Sequence, residues 1–471
     1  MNPFLVLFLL LSSVAVAQQK PDVLFIAVDD LNDWTSYLGG HPQTKTPNID
    51  RLVARGTAFT NSHCAAPACN PSRAALMSGL RPWQTGIYTN GDPAQGVLKN
   101  VVTINRHFFA NGYNTLGGGK IYHGYGSEGR TDSWAKWEGL FPSIQEHEEN
   151  LNGLKRGHFD WGPVNAKPSD MGDYKATDWA INQLKTAPTD KPLFLALGYI
   201  KPHLPWYVPK EYYDRFPLAD IKLPVTKEHD LDDIPKAGVR MAGPEGDHAA
   251  VIKGDQWKKA VQAYLATISF LDEQVGRLLD GLDQSPRKDK TIIVWWTDHG
   301  WNLGEKEHWR KFALWEETTR TSMAIIAPGV TKPGTTCAAP VDYLNMYPTI
   351  CELTGLPVPE HVKGTSLMPL LKDPTAKWDG VAVCTHGKGN HAVRDANWRY
   401  IRYADGTEEL YDHTKDPYEW TNVANEVGMS EIKARLGAAL PAADAEIKAT
   451  SGGEKKKGEG KGKGKKKKAE E

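Results

Sequence analysis

The run Cys69-Asn70-Pro71-Ser72-Arg73, continued by AALMSG to Gly79, puts a thiol and a guanidinium at the start of what reads as a helix. Pro71 fixes its own φ and biases Asn70 towards extended backbone, so Cys69 is expected to be presented before the chain turns into that helix. A side chain in this position faces unpaired backbone N–H groups and the positive end of the helix dipole, a setting that favours an anion. Arg73 adds a planar fork of donors that can hold oxyanions in a fixed orientation. Carboxylates gather at two other places, Asp29 beside Asp30 and Asp298 before His299. Three carboxylates brought together repel one another unless a cation lies between them. Oxygen-rich ligands select a hard ion such as Ca²⁺ or Mg²⁺. Cys64 has no proline and arginine in register and is not the candidate thiol.

Strands must carry these groups. DVLFIAVDD, ending at Asp30, and TIIVWWTDHG, ending at Gly300, are continuous apolar runs closed by charged residues, the pattern of parallel strands buried on both faces. PLFLALGYIKPHLPW, ending at Trp206, is a third such strand and delivers His203 just past its end. NGYNTLGGGKIYH is a weaker strand with a glycine turn that delivers Lys120 and His123. Helical patterns lie between them, among them MGDYKATDWAINQLKT and KKAVQAYLATISFLDEQVGRLLDGL. The alternation predicts an α/β fold with a large mixed, mostly parallel sheet flanked by helices on both faces. Ligands in such sheets collect at the C-terminal ends of strands, where every cluster named above falls.

With these motifs the chain resembles the type I, formylglycine-dependent sulfatases, in the branch of iduronate-2-sulfatase and choline-sulfatase. CNPSR is similar to the family's Cys-x-Pro-Ser-Arg signature, although Ser78, Gly79 and Leu80, with Arg81 one place later, depart from its usual Thr-Gly-Arg continuation. GKIYH resembles the Gly-Lys-x-x-His element, KPHLPW the Lys-Pro-His-x-Pro element, and HWRKFALWEETTR the segment after Asp-His-Gly, in consistent order from Asp22 to Thr421. The resemblance implies an alkaline-phosphatase-like fold with a smaller C-terminal antiparallel subdomain. It implies that a formylglycine-generating maturation enzyme converts Cys69 to an aldehyde, whose hydrate attacks sulfur and forms a sulfoenzyme intermediate. It implies one Ca²⁺, with Mg²⁺ as the alternative, held by Asp29, Asp30, residue 69 (Cys69), Asp298 and His299. His299 stands where many members have asparagine. Lys120 and His123 would contact the formylglycine and the sulfate, His203 would face the leaving oxygen, and Lys311 would bind sulfate. The implied activity is hydrolysis of sulfate esters, on a sulfated carbohydrate. Its rivals are a phosphonate monoester or phosphodiester hydrolase of the same fold, and a sulfated-glycan binding protein with a decayed site.

The chain of 471 residues, 40% hydrophobic, is long enough for one large domain and a smaller addition. A net charge of −1 provides no global field to attract nucleic acid. Residues 1–17 read as a secretory signal peptide ending near Ala17, and no later run suits a membrane helix, so a periplasmic or secreted protein without stable membrane insertion is expected. Residues 18–380 are read as the catalytic domain, 381–450 as the C-terminal subdomain of short strands and a closing helix, and 451–471 as a disordered Lys/Gly-rich tail. Cysteines 64, 69, 337, 351 and 384 are too scattered for a disulfide scaffold. Cys337 could pair with Cys351 in an oxidising compartment; buried free thiols are the simpler reading. Aromatic residues in WYVPKEYYDRF could offer faces to sugar rings or lie in the core.

Overall fold

The computed structural model describes residues 20–124, 133–143 and 149–446; the signal peptide and the tail read from the sequence lie outside the described residues. Eight strands form one sheet: β1 (Asp22–Val28), β2 (Thr57–Phe59), β3 (Asn114–Gly119), β4 (Lys136–Trp137), β5 (Leu193–Gly198), β6 (Thr291–Thr297), β7 (Met323–Ile326) and β8 (Thr335–Cys337), in the order β8-β2-β7-β6-β1-β5-β3-β4. Only β7 runs antiparallel to its neighbours. The mixed, mostly parallel α/β sheet is as expected.

Period-two alternation explains why the central strands are apolar throughout. Leu24, Ile26 and Val28 of β1 enter one core with Leu193, Leu195 and Leu197 of β5 and Ile293 and Trp295 of β6. Val23, Phe25 and Ala27 enter the core on the other face with Phe194, Ala196, Val294 and Trp296. Helices α2 (Gly172–Thr186) and α3 (Trp257–Asp283) cover the first face. The second face receives Leu76 and Met77 of α1 (Cys69–Ser78). A four-stranded antiparallel sheet follows, β9 (Ala382–Thr385), β10 (His391–Arg394), β11 (Trp398–Arg402) and β12 (Glu408–Asp412), closed by the helix Ser430–Gly437. The Asp405-Gly406 turn, with Gly406 at φ +82°, joins β11 to β12.

Three local expectations are corrected or decided. Helix α1 begins at Cys69 itself, so Ala68 and not Asn70 carries the extended backbone (φ −157°, ψ 144°). A proline in the first turn removes an N–H that the helix does not use, and Asn70 is fixed there by its N–H to Asn90 Oδ1 at 3.0 Å and its amide to the Thr89 and Asp92 carbonyls. The aromatics after His203 are core: Trp206, Tyr207 and Tyr212 are at most 1% exposed, leaving no ring face for a sugar. All five cysteines are free and buried. No helix among the described residues is long and apolar enough to cross a membrane.

Candidate active site

Register brings the carboxylates together. Val28 lies opposite Thr297, and the Asp298 N–H donates to the Val28 carbonyl at 3.0 Å, so Asp29 and Asp298 leave adjacent strand ends side by side. Asp30 then turns back in the left-handed region (φ +60°), its N–H donating to Asp298 Oδ1 at 3.0 Å and its carbonyl accepting from Tyr264 Oη at 2.7 Å. Helix α1 is locked against this edge because Ser72 Oγ donates to the Asp298 carbonyl at 2.5 Å. Tyr264 was invisible in the sequence because it sits within the apolar stripe of α3, where an aromatic residue carries no signal of its polar tip.

Cys69 Sγ is fully buried, 3.1 Å from Lys311 Nζ, 3.4 Å from His299 Nε2, 3.8 Å from Lys120 Nζ and 3.9 Å from Asp30 Oδ1. Lys311 Nζ also donates to Asp30 Oδ1 at 2.8 Å, and Lys120 Nζ to Asp29 Oδ2. Lys311 lies on a strained segment in which Lys306, Glu307, Arg310 and Phe312 all have positive φ. That segment is tied down by the Phe312 N–H to the Pro67 carbonyl at 3.0 Å and by His308, whose ring nitrogens lie 2.8 Å from the Lys311 and Ala242 carbonyls.

Arg73 is fully buried and faces inward. Nε donates to Asp298 Oδ2 at 2.8 Å, Nη2 to Asp29 Oδ1 at 3.2 Å, and Nη1 to the Lys120 and Ile121 carbonyls. The fifth N–H, on Nη2, faces the Val28 carbonyl at 3.4 Å, so the oxyanions the fork holds are carboxylates of the protein.

His203 stands at the mouth, its side chain 28% exposed, with Nε2 3.7 Å from Asp30 and 3.9 Å from Asp29. Nδ1 faces the Leu204 carbonyl, which can only accept, so Nδ1 carries the proton and Nε2 presents its lone pair to the site. His123 makes none of these contacts. It lines a cavity of about 380 Å³ with Asn70, Asn90, Asp92, Asn105 and Tyr122, and its buried Nδ1 has no hydrogen-bond partner among the described residues. Burial, reinforced by the Lys120 charge, holds both imidazoles neutral, His123 at about 4 and His203 well below the usual range. Burial also raises Asp29, but the charges of Lys120, Arg73 and Lys311 outweigh it and hold that carboxyl well below its usual range.

The donor set fits a metal ion. Ligand atoms of Asp29, Asp30, Cys69, Asp298 and His299 all lie within 4.8 Å of one another and are buried. The Gly300 carbonyl accepts from His299 Nδ1 at 3.0 Å, so Nε2 is the ring atom turned towards Asp30 and Asp298, 3.4 and 3.6 Å away, and the one that would ligate an ion.

The sulfatase family profile matches residues 21–356 of this chain. The chain belongs to the sulfatase family. It is a sulfuric ester hydrolase. A profile described as N-sulphoglucosamine sulphohydrolase, C-terminal, matches residues 304–446 of the sulfatase. A Formosa agariphila protein named sulfatase is 40% identical over 453 residues, covering 92% of this chain and 88% of the relative. Human iduronate 2-sulfatase is 31% identical over 409 residues, 74% of each chain. Among solved structures, one in complex with its substrate D-glucosamine-2-N,6-O-disulfate superposes with a TM-score of 0.73 at 21% identity, covering 89% of this chain and 96% of that one. The phosphonate monoester hydrolase of Agrobacterium radiobacter gives 0.71 at 20%, covering 89% and 94%. At these identities both superpositions establish the shared fold.

Proposed function

We propose that this sulfatase hydrolyses sulfate esters of a carbohydrate, using formylglycine made from Cys69 by a maturation enzyme and one Ca²⁺ at the Asp29, Asp30, Asp298, His299 and residue-69 cluster. The observation that carries the reading is the position of Cys69 Sγ, at the first turn of α1 and within 3.8 Å of both Lys120 and Lys311. A bound Ca²⁺ would supply Lewis-acid polarisation of a sulfate oxygen. The aldehyde hydrate would supply an oxygen nucleophile, a better neighbour than sulfur for a hard ion.

The chain's own residues do the rest. Lys120 and Lys311 hold the sulfate oxygens, exchanging part of their bonding to Asp29 and Asp30 for the substrate. His203, its ring kept in place through Nδ1, would take up a proton at Nε2 once the anionic substrate is bound and pass it to the leaving oxygen. His123, neutral and on the wall of the adjoining cavity, would take a proton from residue 69 through one intervening water. Arg73 positions Asp29, Asp298 and the start of α1. Charge supports this division. Asp29, Asp30 and Asp298 are matched one for one by Arg73, Lys120 and Lys311, so a divalent ion is balanced by a singly charged sulfate ester and one ionised hydroxyl. The cavity beside Asn70 and His123 sets amide and hydroxyl groups of Asn70, Asn90, Asn105 and Tyr122 on a mostly apolar wall, a mixture that suits the polar edge and apolar faces of a sugar ring.

The test is sulfate release by the matured enzyme, with aldehyde at residue 69 verified by peptide mass, across sulfated mono- and oligosaccharides, an aryl sulfate, choline sulfate and a phosphonate monoester. Preferred turnover of a sulfated carbohydrate is expected. Preferred turnover of choline sulfate would remove the carbohydrate assignment, and preferred turnover of the phosphonate would remove sulfate as the physiological group. Multiple turnovers on any ester exclude a merely binding role.

A further inference from the structure

Among the described residues, one thiol meets another: Cys64 Sγ and Cys384 Sγ lie 3.8 Å apart, from positions 320 residues distant in the chain. Both side chains are enclosed, at 0% and 2% exposure. One residue further along each segment, the Thr385 N–H donates to the Ala65 carbonyl at 2.9 Å, so the two backbones are already bonded beside the thiols. A disulfide needs α-carbons roughly 4.4–6.8 Å apart and side chains that converge. The hydrogen bond one residue along keeps the two segments adjacent, so closing the 3.8 Å gap between the sulfurs does not require bringing distant segments together. The location gives the contact its interest. Cys64 precedes Cys69 by five positions, and Cys384 lies in β9 of the C-terminal antiparallel sheet.

We propose that Cys64 and Cys384 are a redox modification site whose oxidation pins the C-terminal sheet to the segment carrying residue 69. The oxidant is a small-molecule or protein disulfide. One cysteine thiolate attacks it, releasing one thiol and forming a mixed disulfide; the second cysteine attacks the protein sulfur of that bond and releases the other thiol. Two protein thiols and one disulfide thus become one protein disulfide and two thiols, with no other reactant. Burial of the pair places the exchange during folding or local opening. Cys69, whose sulfur contacts only Lys, His and Asp groups, stays out of it. Closing so long a loop restricts the unfolded chain and stabilises the folded one.

The full-length protein is incubated with excess glutathione disulfide, alkylated under denaturing conditions and digested without reductant. The expected product is a peptide pair joining Cys64 to Cys384, two hydrogens lighter than the separate peptides and abolished by a phosphine reductant, with Cys337 and Cys351 alkylated. The oxidised protein should melt several degrees above the reduced one, and C64S and C384S should each erase that difference. Alkylation of both Cys64 and Cys384 after oxidation would overturn the proposal, as would a cross-link that includes Cys69, Cys337 or Cys351. Should either variant fail to fold, the peptide map of the unsubstituted protein decides alone, and it does so whether or not the carbohydrate reading holds.

Discussion

The part proposed for Arg73 is an indirect one. Its donors are spent on two buried carboxylates and on the carbonyls of Lys120 and Ile121, so its effect passes through the residues it orients. Removing one partner from a buried ionic cluster leaves charges without compensation, which costs about 3–5 kcal/mol. Arg73→Ala is expected to lose that much stability in denaturant titration together with activity. Arg73→Lys should not restore it, because one ammonium cannot reach Asp29, Asp298 and both carbonyls at once. Asp298 belongs to the same cluster and is one of the proposed Ca²⁺ ligands, so Asp298→Asn should lower the Ca²⁺ content in elemental analysis as well as turnover. Exhaustive chelation of the unsubstituted enzyme should abolish activity, with recovery on adding Ca²⁺; full activity with a verified empty site would count against the assignment.

At the scale of elements, the site depends on how closely strands approach. Gly119 sits at φ +76°, and a Cβ there would lie 2.0 Å from the Gly198 carbonyl oxygen; a Cβ on Gly198 would lie 2.2 Å from the Lys120 carbonyl group. Two glycines thus let β3 and β5 meet where Lys120 departs. Gly198→Ala is expected to displace Lys120 and lower kcat/KM by roughly 100-fold, the scale of a misplacement of about 1 Å. The readout is kinetics on an aryl sulfate, with circular dichroism confirming that the sheet persists. The Lys311 segment is positioned by similar local constraint, Phe312 bonding to Pro67 and His308 bridging the Lys311 and Ala242 carbonyls.

For the whole molecule, the C-terminal sheet and the catalytic segment are joined by buried charge. Arg399 of β11 pairs with Glu316 and Glu419 and donates to the Leu314 carbonyl at 3.1 Å, while Arg394 reaches Glu316 at 3.3 Å, all just beyond Lys311. Burial pushes the Glu316 carboxyl up, but Arg394, Arg399 and His413 outweigh it and hold it well below its usual range. A carboxyl depressed in the folded state contributes stability above its unfolded value of about 4.3 and loses it as pH falls through the folded value. Melting temperature should therefore drop on acidification below about pH 4, and Glu316→Gln should flatten that limb while lowering stability near neutrality, as thermal melts across pH would show.

The sequence determined which residues could do chemistry and which strands would carry them. Apolar runs closed by Asp29-Asp30 and Asp298-His299 are local patterns, and burial on both faces of a parallel sheet follows from them directly. The order of the sulfatase motifs likewise needs no structure. Tertiary structure decided how the groups face one another. It turned Arg73 inward, set His203 at the mouth with Nε2 towards the carboxylates, and placed His123 on the wall of the adjoining cavity. It also buried the aromatics that follow His203 and brought Cys64 to Cys384 rather than Cys337 to Cys351. The reason is physical: strand register and helix docking fix side-chain direction through contacts between residues hundreds of positions apart, whereas periodicity and motif spacing report only on neighbours along the chain.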